Sequence, residues 1–240
     1  MTEVAANAWL KIWSGRGVAE GTPDILSALI QANGFDSGAG FYANDDWLEM
    51  VAGGARRARL TRHSRVLEIG CGAGAFLYAL RALIGCTVAG IDYSESLIQS
   101  ATKHVPEGEF VVSEAVNIPF PDSSFDAIFS HSVFQYFPDE QYAKKVCANA
   151  QAKLRNGGVF CVLDVNDQQC EARFHEERAQ LFGDEAAYAR RYADLPHTFY
   201  VKTRFCGMLR EVGFEQVSLV PHDAKRYANR HFRFNVLAIK

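Results

Sequence analysis

The sequence predicts an α/β chain: a doubly wound sheet of about seven strands with a C-terminal antiparallel hairpin, and helical cap elements at the N-terminus and in an insertion. Three observations lead there. From Arg65 onward, short apolar runs alternate with amphipathic helical stretches. Several runs, such as Val88-Ala89-Gly90-Ile91, are apolar on consecutive residues, which suits a sheet covered on both faces. The first run, Arg65 to Ile69, carries an acid at Glu68 and passes into Gly70, Gly72 and Gly74 directly before a helical pattern. Strand, tight glycine turn and helix start in that order place a polar ligand on the turn. There a missing Cβ allows close approach, and a helix start offers N–H groups.

In chain order, residues 1–62 carry no strand signal and are expected to form a helical lid. Ala5 to Trp13 reads as a short helix with Trp9 and Trp13 four apart on one face. Thr22-Pro23-Asp24 reads as a helix start, with Thr22 as N-cap and the helix running to Asn33 before Gly34. Asn44-Asp45-Asp46 caps a third helix to about Leu60. Residues 63–240 form the ligand-binding unit. Its first five strands are Arg65–Ile69, Thr87–Ile91, Glu109–Val112, Ala127–Ser130 and Val159–Asp164. Helices near Ala75–Ile84, Ser94–His104 and Asp139–Leu154 connect them, with Ser94 as an N-cap. Gln168 to about residue 195 is a charged helical insertion. A helix over Val201–Val212 ends at Gly213, and Phe214–Val220 and Phe232–Ile239 alternate as two closing strands.

The net charge of −3 over 240 residues gives no broad basic field, so nucleic acid is not an expected partner. Arg56-Arg57-Ala58-Arg59 reads as the solvated face of a helix. The six cysteines form no C-x-x-C pair and read as reduced, buried thiols, which argues against disulfides and zinc. No signal-peptide pattern opens the chain, and no apolar run nears the roughly 18 residues of a membrane span. The expectation is a cytoplasmic protein with no membrane partner; nothing in the sequence sets an oligomeric state.

The glycine turn fits two patterns. Gly70, Gly72 and Ala75 match the dinucleotide fingerprint G-x-G-x-x-G/A, with Asp92 about twenty residues on. Glu68 to Gly74 match an E-x-G-x-G-x-G turn. Asp92 suits the two hydroxyls of a ribose and so does not discriminate between nucleoside cofactors. Glu114-Ala115 after the third strand, followed by Ile118-Pro119-Phe120 and Ser124-Phe125-Asp126, decides between the two. With these four motifs in order, residues 65 to about 164 and the closing hairpin resemble the class I S-adenosyl-L-methionine (SAM)-dependent methyltransferases of Rossmann-like fold. They more loosely resemble a bacterial subgroup acting on small molecules. Glu114 stands where that family more commonly has Asp.

The resemblance implies SAM as cofactor and S-adenosyl-L-homocysteine as product. Glu68 and the turn residues Gly70, Cys71, Gly72 and Gly74 are expected around the methionine part. Asp92 is expected on the ribose, Tyr93 at the adenine edge, Glu114 and Ala115 on the adenine, and Ser130 beneath the sulfonium. His131, at the end of the fourth strand, is a candidate base for a hydroxyl or amine acceptor. His197, in Leu195-Pro196-His197-Thr198-Phe199-Tyr200, is a second. The acceptor wall is expected from Trp13, Tyr42, Gln135, Tyr136, Asp167 and Tyr200, with Trp9, Phe41 and Trp47 as further lid aromatics. Asp164 or Asp167 is a candidate to orient either histidine. Asp164 and Asp167 alone are too few for a metal. The remaining histidines, His222 among them, are expected to face solvent. The expected reaction is methyl transfer to an O or N atom of a small molecule, in secondary metabolism. An NAD-dependent oxidoreductase and a non-catalytic partner of the same fold are the alternatives.

Overall fold

Strand β1 (Arg65–Ile69) is the axis of the molecule, because Val66, Leu67 and Ile69 have no exposed surface on either face of the sheet. The computed structural model describes residues 3–18, 21–184, 186, 188, 190, 193 and 195–240. In it, β1 pairs in parallel with β2 (Thr87–Asp92) on one side and β4 (Phe125–His131) on the other. β3 (Glu109–Val112) extends the sheet beyond β2, and β5 (Leu154–Asn166) beyond β4, all parallel. β7 (Arg233–Ile239) runs antiparallel to β5, and β6 (Gln216–Val220) closes the edge antiparallel to β7. The order β3-β2-β1-β4-β5-β7-β6 is the doubly wound sheet with a terminal hairpin that the sequence predicts.

Helices cover both faces. On one lie α2 (Ile25–Ala32), α3 (Asn44–Arg57), α4 (Ala75–Ile84) and α5 (Glu95–His104), packed on Val66, Val88, Phe129 and Cys161. On the other lie α6 (Glu140–Lys153) and α8 (Lys202–Glu211), over Leu67, Ile91, Ile128 and Phe160. Helix α1 (Glu3–Ser14) reaches the cofactor side of the sheet through α5, with Ser94 Oγ donating to Trp13 O. Helix α7 (Glu171–Phe182) carries Phe174 onto Phe199 and Phe232.

Several boundaries differ from the expected ones for local reasons. The N-cap of α2 is Asp24, which accepts from Ser27 N; Thr22 lies outside the helix. Helix α3 has Ala43 as its N-cap, and Asn44 instead donates across to Asp24 Oδ2. It stops at Arg57 rather than near Leu60. Arg59 takes φ +51°, and Leu60 N bonds back to Ala55 O, a Schellman-type stop without the glycine that usually marks one. Phe232 ends a short 3-10 turn, Ala228–Phe232, before β7. Of the expected insertion, residues 185, 187, 189, 191, 192 and 194 lie outside the described residues, as do 1, 2, 19 and 20 of the expected lid. Five of the six cysteines are buried and all six are unpaired.

Trp47 and Tyr42, expected in an acceptor lid, are core residues. Trp47 has no exposed surface, and its indole N–H donates to Ala75 O at the start of α4. Trp47→Ala is therefore expected to cost about 3–5 kcal/mol in urea unfolding; a change below about 1 kcal/mol would contradict this placement.

Candidate active site

A cavity of about 290 Å³ opens at the carboxyl ends of β1, β2, β3 and β4. This is where parallel sheets place ligands. Its floor holds Glu68, Gly70 and Gly72 after β1, Asp92 and Tyr93 after β2, and Glu114 and Ala115 after β3. His131, Ser132 and Val133 come from the end of β4, and Tyr136 from the turn beyond it. Trp9 and Trp13 of α1 and Asn33, Gly34 and Phe35 after α2 form the opposing wall.

The glycine turn is held by its own neighbours. Gly70 and Cys71 both donate backbone N–H to Ile91 O. Gly72 N donates to Asp92 Oδ2 at 2.9 Å, and Ala73 N donates to Asn33 Oδ1 at 2.6 Å. These N–H groups, expected to face a ligand, are thus already used. Gly70 and Gly72 have positive φ, and a Cβ on either would collide with Val133 or Asn33. The turn contributes close approach rather than donors.

What faces the cavity is acidic. Glu68 is 2% exposed, and its Oε2 has no hydrogen-bond partner among the described residues. Burial, reinforced by the charge of Asp92, holds its carboxyl well above the usual carboxylate range. Asp92 is also raised by burial, offset by N–H groups of Ser94, Gly72 and Tyr93. Glu114 stands across the cavity, with Tyr142 Oη 3.5 Å from its Oε2. No lysine or arginine is among the described residues lining this space.

The structure thus gathers Glu68, Gly70, Gly72, Asp92, Tyr93, Glu114 and Ala115 around one cavity, with Trp13, Tyr136 and His131. Other expected residues stand off its wall. Cys71 is fully buried, its Sγ folded toward Gly72 O, and Gly74 serves as the N-cap of α4. Ser130 is fully buried, one position out of phase with His131 along β4. Tyr42 stacks on Tyr227 at 4.1 Å. Gln135 donates to Ser132, and Tyr200 donates its hydroxyl to Phe134 O. Asp167 pairs with Lys202 at 2.7 Å and accepts from Gln169 N.

The two histidines differ. His131 reaches the cavity from an aromatic box of Phe35, Tyr42 and Trp47, with ring centroids 5.1–5.9 Å away. Its Nε2 is unpartnered, and burial lowers its pKa to about 4. His197 lies behind Trp9 and Tyr136, at 5.0 and 5.5 Å, and burial lowers it to about 3. Neither Asp164 nor Asp167 hydrogen-bonds a histidine ring among the described contacts; Asp164 accepts from Ser132 Oγ and Tyr227 Oη. His222, expected at the surface, is largely buried beside Asp164 and Arg233, with an unpartnered Nε2.

Sequence reasoning missed Asn33. The pair Asn33-Gly34 signals a helix stop, and nothing local says that its amide reaches a turn 40 positions away. Ser132 was likewise passed over; its φ of +59° is visible only in the fold.

Comparison with known proteins follows the same lines. A family profile described as a methyltransferase domain matches residues 67–162. The demethylmenaquinone methyltransferase of Thermotoga maritima is 27% identical over 167 residues, 65% of this chain and 72% of that protein. The 2-methyl-6-phytyl-1,4-hydroquinone methyltransferase of Synechocystis is 31% identical over 118 residues, 47% of this chain. The match spans only 36% of that relative's length. Among solved structures, the phosphoethanolamine N-methyltransferase 2 of Haemonchus contortus in complex with SAM superposes with a TM-score of 0.61 at 15% identity. That match covers 81% of this chain and 52% of the other, and shows a shared fold. With its doubly wound sheet, its glycine turn and a methyltransferase domain matched over residues 67–162, the chain shares its fold and that domain with the class I SAM-dependent methyltransferases, whose cofactor is S-adenosyl-L-methionine.

Proposed function

We propose that this protein transfers the methyl group of SAM to an oxygen or nitrogen atom of a small acceptor. The observation that carries the reading is the buried Glu68 oxygen, unpartnered among the described residues, in a cavity that they line with two further carboxylates and no lysine or arginine. SAM carries an ammonium group, a ribose diol and an adenine amino group, which match Glu68, Asp92 and Glu114 in order along the crevice. A dinucleotide carries a doubly charged pyrophosphate. It would meet three acids and a turn whose Gly72 and Ala73 N–H groups are already bonded.

When bound, SAM supplies a methyl carbon activated by its sulfonium. The chain's own task is to hold the acceptor in line with that carbon and keep water away, which supplies roughly 7–11 kcal/mol of a barrier. Of the expected lid over residues 1–62, helix α1 and Asn33 to Phe35 cover the cavity in this reading. Trp9 and Trp13 present aromatic faces to the cavity, edge-on to Tyr136 at 4.7 and 5.5 Å. His131 receives the acceptor's proton in this reading. It is neutral at physiological pH and has a free Nε2, but its low pKa makes it a modest base. His197 shapes Trp9 and Tyr136 from behind. The relatives' names point to hydroquinone and demethylmenaquinone acceptors for those proteins. The aromatic wall here suits a small flat acceptor, in a cytoplasmic setting of secondary metabolism. Among the described residues, no helix is long and apolar enough to cross a membrane.

Three measurements check this reading. By calorimetry the protein is expected to bind S-adenosylhomocysteine and not NADH. Asp92→Ala should weaken that binding by about 1–3 kcal/mol; tight NADH binding would overturn the assignment. In the ligand-free protein Glu68 keeps its proton above the pH at which the unfolded chain loses it. Stability tied to Glu68 is therefore full below about pH 4.5 and is lost as pH rises toward the raised folded value. Glu68→Gln is expected to flatten that fall relative to wild type in melting-temperature profiles, and S-adenosylhomocysteine to offset it. An unchanged profile would place Glu68 in water. Finally, NMR titration of the His131 ring is expected to give a midpoint near 4. A midpoint near the ordinary 6.5 would show an open, solvated imidazole.

A further inference from the structure

A second set of buried polar groups lies behind the His131 to Tyr136 wall, at the carboxyl end of β5 and the start of β7. It is two to three strands from the glycine turn. Asp164 is 1% exposed and sits at φ +62°, a strained conformation for a residue with a side chain. Its Oδ2 accepts from Ser132 and Tyr227, and its Oδ1 has no hydrogen-bond partner among the described residues. Arg233 is 8% exposed, and its Nε and Nη1 also lack hydrogen-bond partners among the described residues. The closest approach of these two groups is 3.9 Å, beyond hydrogen-bonding distance. Asn166, paired in register with Arg233, leaves Oδ1 unused, and Gln135 leaves Oε1 unused.

Unsatisfied buried groups of this kind are costly, a guanidinium most of all. Here they adjoin the cavity wall from behind, through Ser132. Ser132 lines the cofactor cavity and is bonded to Asp164, and His131 shares that wall. The unpaired donors belong to a cation, and the unpaired acceptors are carbonyl and carboxylate oxygens. A complementary ligand brings an anionic oxygen pair to Arg233 and a donor to Asp164, Asn166 or Gln135. An arginine fork matches a carboxylate in both geometry and charge.

We infer that Arg233 anchors the acceptor's carboxylate, with Gln135, Asn166 and Asp164 receiving a hydroxyl or amino group of the same molecule. The acceptor class is thus a small hydroxy or amino acid. This rests on the methyl-transfer reading above, which names the reaction but not the acceptor.

Calorimetry on the S-adenosylhomocysteine-bound protein tests it, using L-malate, L-serine and 4-hydroxybenzoate, each against its neutral carboxamide. At least one acid is expected to bind roughly 30-fold tighter than its amide. Arg233→Met should erase that preference while S-adenosylhomocysteine affinity stays within about threefold. Equal binding of acids and amides, or a preference that survives Arg233→Met, overturns the proposal and leaves the cluster as a hydrated structural network. Should Arg233→Met fail to fold, Arg233→Lys keeps the charge beside Asp164 but loses the fork. Its acid preference is expected to fall about tenfold, and an undiminished one is equally decisive against. Absence of S-adenosylhomocysteine binding in the wild type would sink the methyl-transfer reading instead. The acid-to-amide ratio on the ligand-free chain would still decide the Arg233 site.

Discussion

Two side-chain oxygens hold the centre of this protein in place. Asp92 Oδ2 takes the N–H of Gly72, and Asn33 Oδ1 takes the N–H of Ala73. Between them they fix the turn that links β1 to α4, and each comes from a different part of the chain. Asp92 ties the turn to the neighbouring strand. Asn33 ties it to the N-terminal helices, so the wall carrying Asn33, Gly34 and Phe35 is registered against the floor. The orphaned Glu68 oxygen, the approach of Asp92 and the placing of the aromatic wall all depend on that stitch.

The energetic cost of the site is concentrated in buried charge. Glu68 and Asp92 are both removed from water, and the charge of Asp92 makes Glu68 harder still to ionise. A cationic ligand relieves both at once, which makes the cavity selective by sign as well as by shape. Farther along the sheet Asp164 resolves the same problem differently. Burial pushes its carboxyl up, yet Arg233, His131 and His222 together bring it below the ordinary value. One cluster is short of positive charge and the other holds a guanidinium with unused donors. That contrast separates the acidic floor of the cavity from the cluster behind its wall.

Legibility in the sequence followed the range of the interactions involved. Strand β1, helix α4 and strand β3 were readable residue for residue, because continuous apolar runs and a glycine turn are local signals. The stop of α3 at Arg57 was not, because Arg59 adopts a left-handed φ that usually requests glycine. Tyr42, Asp167 and Tyr200 sit near the right end of the sheet, but tertiary partners turn their side chains elsewhere: Tyr227, Lys202 and the Phe134 carbonyl. His197 shows the same limit. Its neighbourhood was foreseen, but two aromatic rings stand between it and the cavity.

By itself the sequence determined the order of strands and helices, the glycine turn, and the acids at Glu68, Asp92 and Glu114. The elements and the turn are set by periodicity or by a backbone need within a few residues; the acids stand out by their places after the strands and, for Glu114, by the family resemblance. Only the tertiary structure decided that the turn's N–H groups are spent on Asp92 and Asn33. The fold alone made Trp47 a core residue, and it alone brought Asp164 and Arg233, 69 positions apart, within 3.9 Å. The reason is physical. A pattern reports which face a residue presents, but hydrogen-bond satisfaction and desolvation depend on partners that only the closed fold brings near.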